Sequence, residues 1–111
     1  MTDRLAVGDI YEHCPIDLPG EFVEQIGGRG SVRIERIVSR GHSSPPGFWY
    51  DQDQEEWVLL LKGAAAIRFD ARDQVIELRE GAYLSIPAHT RHRVEWTQSD
   101  TETVWLAIHL G

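Results

Sequence analysis

Two short stretches hold side chains of the types that do chemistry. Residues 50–56 read YDQDQEE, which sets a phenol (Tyr50), an amide (Gln52) and a carboxylate (Glu56) two and four positions apart. In an extended chain these three share parity and point to one face. Residues 81–96 read GAYLSIPAHTRHRVEW, and there His92, Val94 and Trp96 share a face in the same way. Carboxylate and imidazole can bind a divalent transition metal or move a proton. An amide oxygen is a weak neutral ligand, and a phenol with an ordinary pKa near ~10 ligates well only when deprotonated. Asp51, Asp53, Gln54 and Glu55 read as solvated rim.

The elements that position these residues are short and β-prone. They are Phe22–Ile26, Val32–Ser39, Glu56–Lys62, Ala64–Phe69, Val75–Arg79, Tyr83–Ile86, His92–Thr97 and Val104–Leu110, separated by turn-forming pairs such as Lys62-Gly63 and Glu80-Gly81. Several alternate apolar and polar residues, the pattern of a strand with one buried face. Residues 57–61, WVLLL, do not alternate, which predicts a strand covered on both sides. No window carries a helical apolar stripe. The expectation is an all-β, antiparallel barrel that buries Val58, Leu60, Ile67, Leu84, Ile86, Val94 and Leu106. Ser44-Pro45-Pro46-Gly47 must be a loop that delivers Phe48, Trp49 and Tyr50 to the long strand.

Gly81, Pro87 and His92 fall in the register of the second motif of the cupin family, G-x5-P-x-G-x2-H-x3-N. His89 replaces its inner glycine, and Trp96 its asparagine. Glu56 and Gly63 match the second half of the first motif, G-x5-H-x-H-x3-E-x6-G, with Tyr50 and Gln52 at the two histidine positions. The chain therefore resembles a small single-domain bacterial cupin with a degenerate first motif. The resemblance implies a jelly-roll, or double-stranded β-helix, spanning residues 1–111, with 1–30 as an arm plus first strands and 31–111 as the barrel. It implies that Tyr50, Gln52, Glu56 and His92 stand at metal positions, for one divalent ion such as Zn, Ni, Fe or Mn. It also implies that Trp96, Val94 and Tyr50 line a pocket for a small organic ligand. Two functions follow: a metal-dependent enzyme, or a non-catalytic binding or sensing module that has lost its metal.

Composition bounds the remainder. With 111 residues, 41% of them hydrophobic, the chain can bury a real core. A net charge of −7 disfavours nucleic acid. No apolar run suits a membrane span, and the expected location is cytoplasmic. The one cysteine, Cys14, reads as a free thiol. His89, His42 and His13 read as surface residues and His109 as a cap on the core, while Arg91 and Arg93 face away from His92. Sheet edges and abundant aromatics lead to the expectation of a homodimer.

Overall fold

The computed structural model describes residues 5–12 and 21–111. His13, Cys14, Pro15 and Pro19-Gly20 lie outside them. All eight expected strands form: β1 (Phe22–Arg29), β2 (Val32–Ser39), β3 (Glu55–Lys62), β4 (Ala64–Phe69), β5 (Gln74–Arg79), β6 (Tyr83–Ile86), β7 (His92–Thr97) and β8 (Thr103–Leu110). No helix occurs among the described residues. Five strands form one sheet in the order β1-β2-β8-β3-β6, and three form a second in the order β5-β4-β7. Every pairing is antiparallel, the jelly-roll architecture expected.

Gly63 carries the chain from the first sheet into the second. Its φ is +90°, and a Cβ there would stand 2.5 Å from Thr103 Oγ1 and 2.9 Å from Thr103 Cα. Only glycine fits both the turn and the close approach. Between the sheets, Leu60, Ala65, Ile67, Leu78 and Trp105 close one end of the barrel as a solid core. Further along β3, Val58 and Glu56 also point inward, towards the other end.

The expected core needs correction in one strand. Val58, Leu60, Ile67 and Ile86 are buried, and Leu84 and Val94 are half-buried. In β8, however, the inward row is Trp105, Ala107 and His109, which leaves Leu106 half-buried on the other face. Both faces of β8 are apolar, and its outer face is covered at Val104. Val104 and Val38 pack outside the sheet beneath Ile10, Phe22 and Leu61. Arg36, 3% exposed, fastens the arm there. Its guanidinium donates to the carbonyls of Ile10 (3.4 Å) and Glu12 (2.6 Å) and lies over the Phe22 ring.

A second departure lies in β7. Thr97 pairs with Ala65 and Trp96 with Ala66, but Val94 pairs with Ile67, so Glu95 is an extra residue. This β-bulge reverses the alternation. His92 and Val94 point inward, Trp96 turns outward, and Thr97 is buried in its place.

Backbone geometry supports the register of the second motif. His89, at the position of the motif's glycine, has φ +59°, a left-handed conformation that costs an ordinary residue roughly 1–2 kcal/mol. Its side chain makes only an exposed 3.0 Å contact with Asp51. His89→Gly should therefore raise unfolding free energy by about 1 kcal/mol. Gly63→Ala should lower it by about 2 kcal/mol or more. Urea denaturation of the two variants tests both signs.

Candidate functional site

The open end of the barrel encloses a cavity of about 230 Å³. This is below the ~300–1,000 Å³ of drug-sized ligand sites, so it suits a compact molecule. Tyr50, Gln52, Glu56, His92 and Val94 all line it. Trp96 does not, since the bulge at Glu95 leaves it 39% exposed on the outer surface. Asp51, Asp53 and Glu55 are exposed, as a rim requires.

Tyr50 and Gln52 reach the cavity without belonging to β3. Tyr50 forms an isolated bridge with His92: its N–H donates to the His92 carbonyl (2.7 Å), and its carbonyl accepts from the His92 N–H (3.1 Å). The two rings stack, with centroids 5.4 Å apart. The Gln52 carbonyl accepts from the His89 N–H at 2.7 Å. Gln52 Oε1 is buried with no hydrogen-bond partner among the described residues. Outside the barrel, Trp49 lies against the guanidinium groups of Arg91 and Arg93. Arg91 pairs with Asp70, and Arg93 holds the carbonyls of Ser44 and Pro45. These arginines pin the loop and do not enter the cavity.

Sheet register builds the polar centre. Glu56 on β3 lies directly opposite His109 on β8, and His109 lies opposite Arg33 on β2. Glu56 Oε1 is 3.5 Å from His92 Nε2, and Glu56 Oε2 is 3.9 Å from His109 Nε2. His109 Nε2 is 2.8 Å from Glu35 Oε1, and Arg33 pairs with Glu35 at 3.0 Å. His92 Nδ1 meets the Thr90 carbonyl at 2.7 Å. The sequence reading gave no role to Glu21, Arg33 and Glu35, and took His109 as a cap on the core without its place in the cavity. The parity of β8 held one signal, because an inward Trp105 requires an inward His109. The pairing with Glu35 depends on long-range register that no local pattern carries.

Burial raises the pKa of the Tyr50 phenol, and the charges of Glu21, Glu56 and Glu35 raise it further. The phenol is thus held protonated and is a poor metal donor. Gln52 offers only a neutral amide oxygen. No three His, Cys, Asp or Glu side chains among the described residues converge as a metal-holding group. At the four motif positions, one carboxylate, one imidazole, one amide and a neutral phenol do not fit a resident transition metal, which favours several imidazole or anionic donors, and the nearby His109 imidazole is turned to Glu35.

Comparison with known proteins supplies the family. The family model described as Cupin domain matches residues 35–109. A crystal structure from Ralstonia eutropha JMP134, of a protein provisionally named a mannose-6-phosphate isomerase, is 42% identical with a TM-score of 0.90. The match covers 96% of this chain and 98% of that one. A cupin superfamily protein from Desulfitobacterium hafniense DCB-2 is 23% identical with a TM-score of 0.71, over 87% of this chain and 83% of its own. A protein from Thermus thermophilus is 12% identical with a TM-score of 0.77, over 96% of this chain and 97% of its own. The last two share the fold alone. None of the curated proteins matches the chain.

The Tyr50 environment has a direct spectroscopic consequence. In an alkaline titration followed at 295 nm, one tyrosine should ionise above the ordinary ~10, and that late step should vanish in Tyr50→Phe. Because the folded pKa is the raised one, the linked stability is present below the unfolded pKa. It is lost as pH rises through the folded pKa. A single tyrosine transition at the ordinary value would contradict the burial of this phenol among carboxylates.

Proposed function

This chain belongs to the cupin superfamily, and we propose that its barrel holds a compact organic molecule against Glu56 and His92 without a resident transition metal. The supporting observation is the cavity itself. It joins an aliphatic wall to buried polar atoms left without partners, the arrangement of a ligand site. Gln52 Oε1 has no donor among the described residues, and a buried acceptor is costly unless something meets it. Tyr50 stacks on the His92 ring, and both rings line the cavity.

The provisional name of the Ralstonia protein raises a second reading, a sugar phosphate. Charge speaks against it. A phosphate in this cavity would meet the carboxylates of Glu21, Glu35 and Glu56, with only Arg33 to offset them. Arg33 is already paired with Glu35.

Native mass spectrometry and metal analysis, on protein purified without chelator or affinity tag, test the main reading. The expected result is a sub-stoichiometric transition metal content with a small organic mass retained. A stoichiometric metal ion would overturn it. The lost ligand positions can also be restored. In Tyr50→His/Gln52→His, two imidazoles should join Glu56 and His92. Nickel or zinc affinity should rise by orders of magnitude, and His92→Ala in that background should remove most of the gain. Unchanged affinity in a folded double variant would show that the two positions do not converge with Glu56.

We also propose a homodimer. β1 and β6 are the terminal strands of the large sheet. Its outer face carries half-buried Ile34, Trp57, Leu59, Leu106 and Ile108 beside exposed Tyr83. Apolar residues grouped on one face suit association. Light scattering at micromolar concentration should give twice the 12.6 kDa of one chain; a monomer mass would refute the dimer.

A further inference from the structure

Hydrogen-bond accounting around Glu56 is one-sided. The Thr90 carbonyl only accepts, so His92 Nδ1, 2.7 Å away, carries the hydrogen. In the neutral ring, Nε2 is then a bare acceptor, and it faces Glu56 Oε1 at 3.5 Å. His109 Nε2, 2.8 Å from Glu35 Oε1, directs its hydrogen to Glu35. Glu56 Oε2 lies farther off, at 3.9 Å. In their neutral forms, both imidazoles have therefore committed their N–H groups elsewhere. Glu56 is 9% exposed and makes no hydrogen bond through its side chain among the described residues. In the same cavity lining, Gln52 Oε1 and His109 Nδ1 are buried and unpartnered.

Carboxylates outnumber guanidinium groups in the cavity lining. Glu21, Glu35 and Glu56 bring three carboxylates to it, and Arg33 brings one guanidinium that already pairs with Glu35. Their field is felt at Tyr50, whose phenol is raised by burial first and then by all three carboxylates. Ile37, Val58, Ile67, Ile86, Val94 and Trp105 supply the apolar part of the lining.

We propose that the cavity selects a compact organic ammonium ion, with N–H groups on Glu56 and Gln52 Oε1 and a hydrocarbon body against the aliphatic wall. This rests on the reading of the cavity as a metal-free small-molecule site. An ammonium group supplies both the donors and the charge that Glu56 lacks. An alcohol of the same shape supplies one neutral donor. A carboxylate or phosphate supplies neither and is repelled.

The test uses three probes of one shape and size, cyclopentylamine, cyclopentanol and cyclopentanecarboxylate, titrated calorimetrically into the unmodified protein at neutral pH. The amine should bind about tenfold or more tighter than the alcohol, and the carboxylate should not bind detectably. Glu56→Gln should remove about tenfold of the amine affinity while leaving the alcohol within about twofold. Gln52→Leu should weaken both. Alcohol or carboxylate binding as tight as the amine overturns the charge preference and leaves the cavity reading intact. Amine binding unchanged by Glu56→Gln also overturns it. If none of the three binds, the small-molecule reading falls with it. If zinc binds stoichiometrically and excludes the amine, the metal-free reading falls instead. The three-probe comparison needs no variant, so a Glu56→Gln protein that fails to fold does not rescue the proposal.

Discussion

A largely buried carboxylate is the constraint around which the open end of this barrel is arranged. Glu56 is fixed by strand register, opposite His109 on one side and Ile86 on the other, so it cannot turn to solvent without breaking the alternation of β3. Burying a charge is costly unless it is paired. Two imidazoles stand beside it, yet each is oriented by another acceptor, Thr90 for His92 and Glu35 for His109. Arg33 meets Glu35 and not Glu56. Burial first, and then the acidic lining, raise the pKa of Tyr50, because a phenolate would be a poorly hydrated charge added to a space that already holds carboxylates.

Parity decides which residues surround that charge, and a single bulge sets it in β7. Without the extra residue at Glu95, Trp96 would share a face with His92 and its indole would occupy the cavity. With it, the indole lies outside and Thr97 is buried, where its hydroxyl donates to the His42 carbonyl. The space next to Glu56 is therefore open because of a local irregularity in pairing. Val94, ahead of the bulge, keeps its inward direction and contributes to the aliphatic wall.

This explains what was legible in the sequence. Strand positions were readable because glycine and polar turn pairs separate the runs, and turn chemistry is local. Glu56, His92, Gln52 and Tyr50 were readable because the motif spacing survives although two ligands are replaced. Trp96 was misplaced because an alternating pattern contains no mark of a bulge. Leu106 was misplaced because β8 is apolar on both faces: Val104 packs under the arm while Trp105 packs in the barrel, and periodicity cannot rank two apolar faces. Glu35 and Arg33 became visible only when β2 was paired with β8, a contact between residues more than seventy positions apart in the case of Glu35 and His109.

The same geometry shows how the ligand set could change without loss of the fold. The first-motif segment is held to the barrel by backbone groups. The Tyr50 amide and carbonyl bridge His92, and the Gln52 carbonyl accepts from His89. No side chain at position 50 or 52 is needed for those bonds, so imidazole, phenol or amide can stand there on the same backbone. The solid core of Leu60, Ala65, Leu78 and Trp105 lies towards the other end of the barrel. Substitutions around Glu56 therefore act mainly on a cavity that is already partly open, with small effects on packing. His89 tests this separation, because it keeps the left-handed turn of a lost glycine at a conformational cost while its backbone N–H still positions Gln52. The backbone path of the second motif thus persists where the side chain no longer favours it, as expected if main-chain hydrogen bonds and the distant core, rather than the residues at the site, hold the cavity's shape.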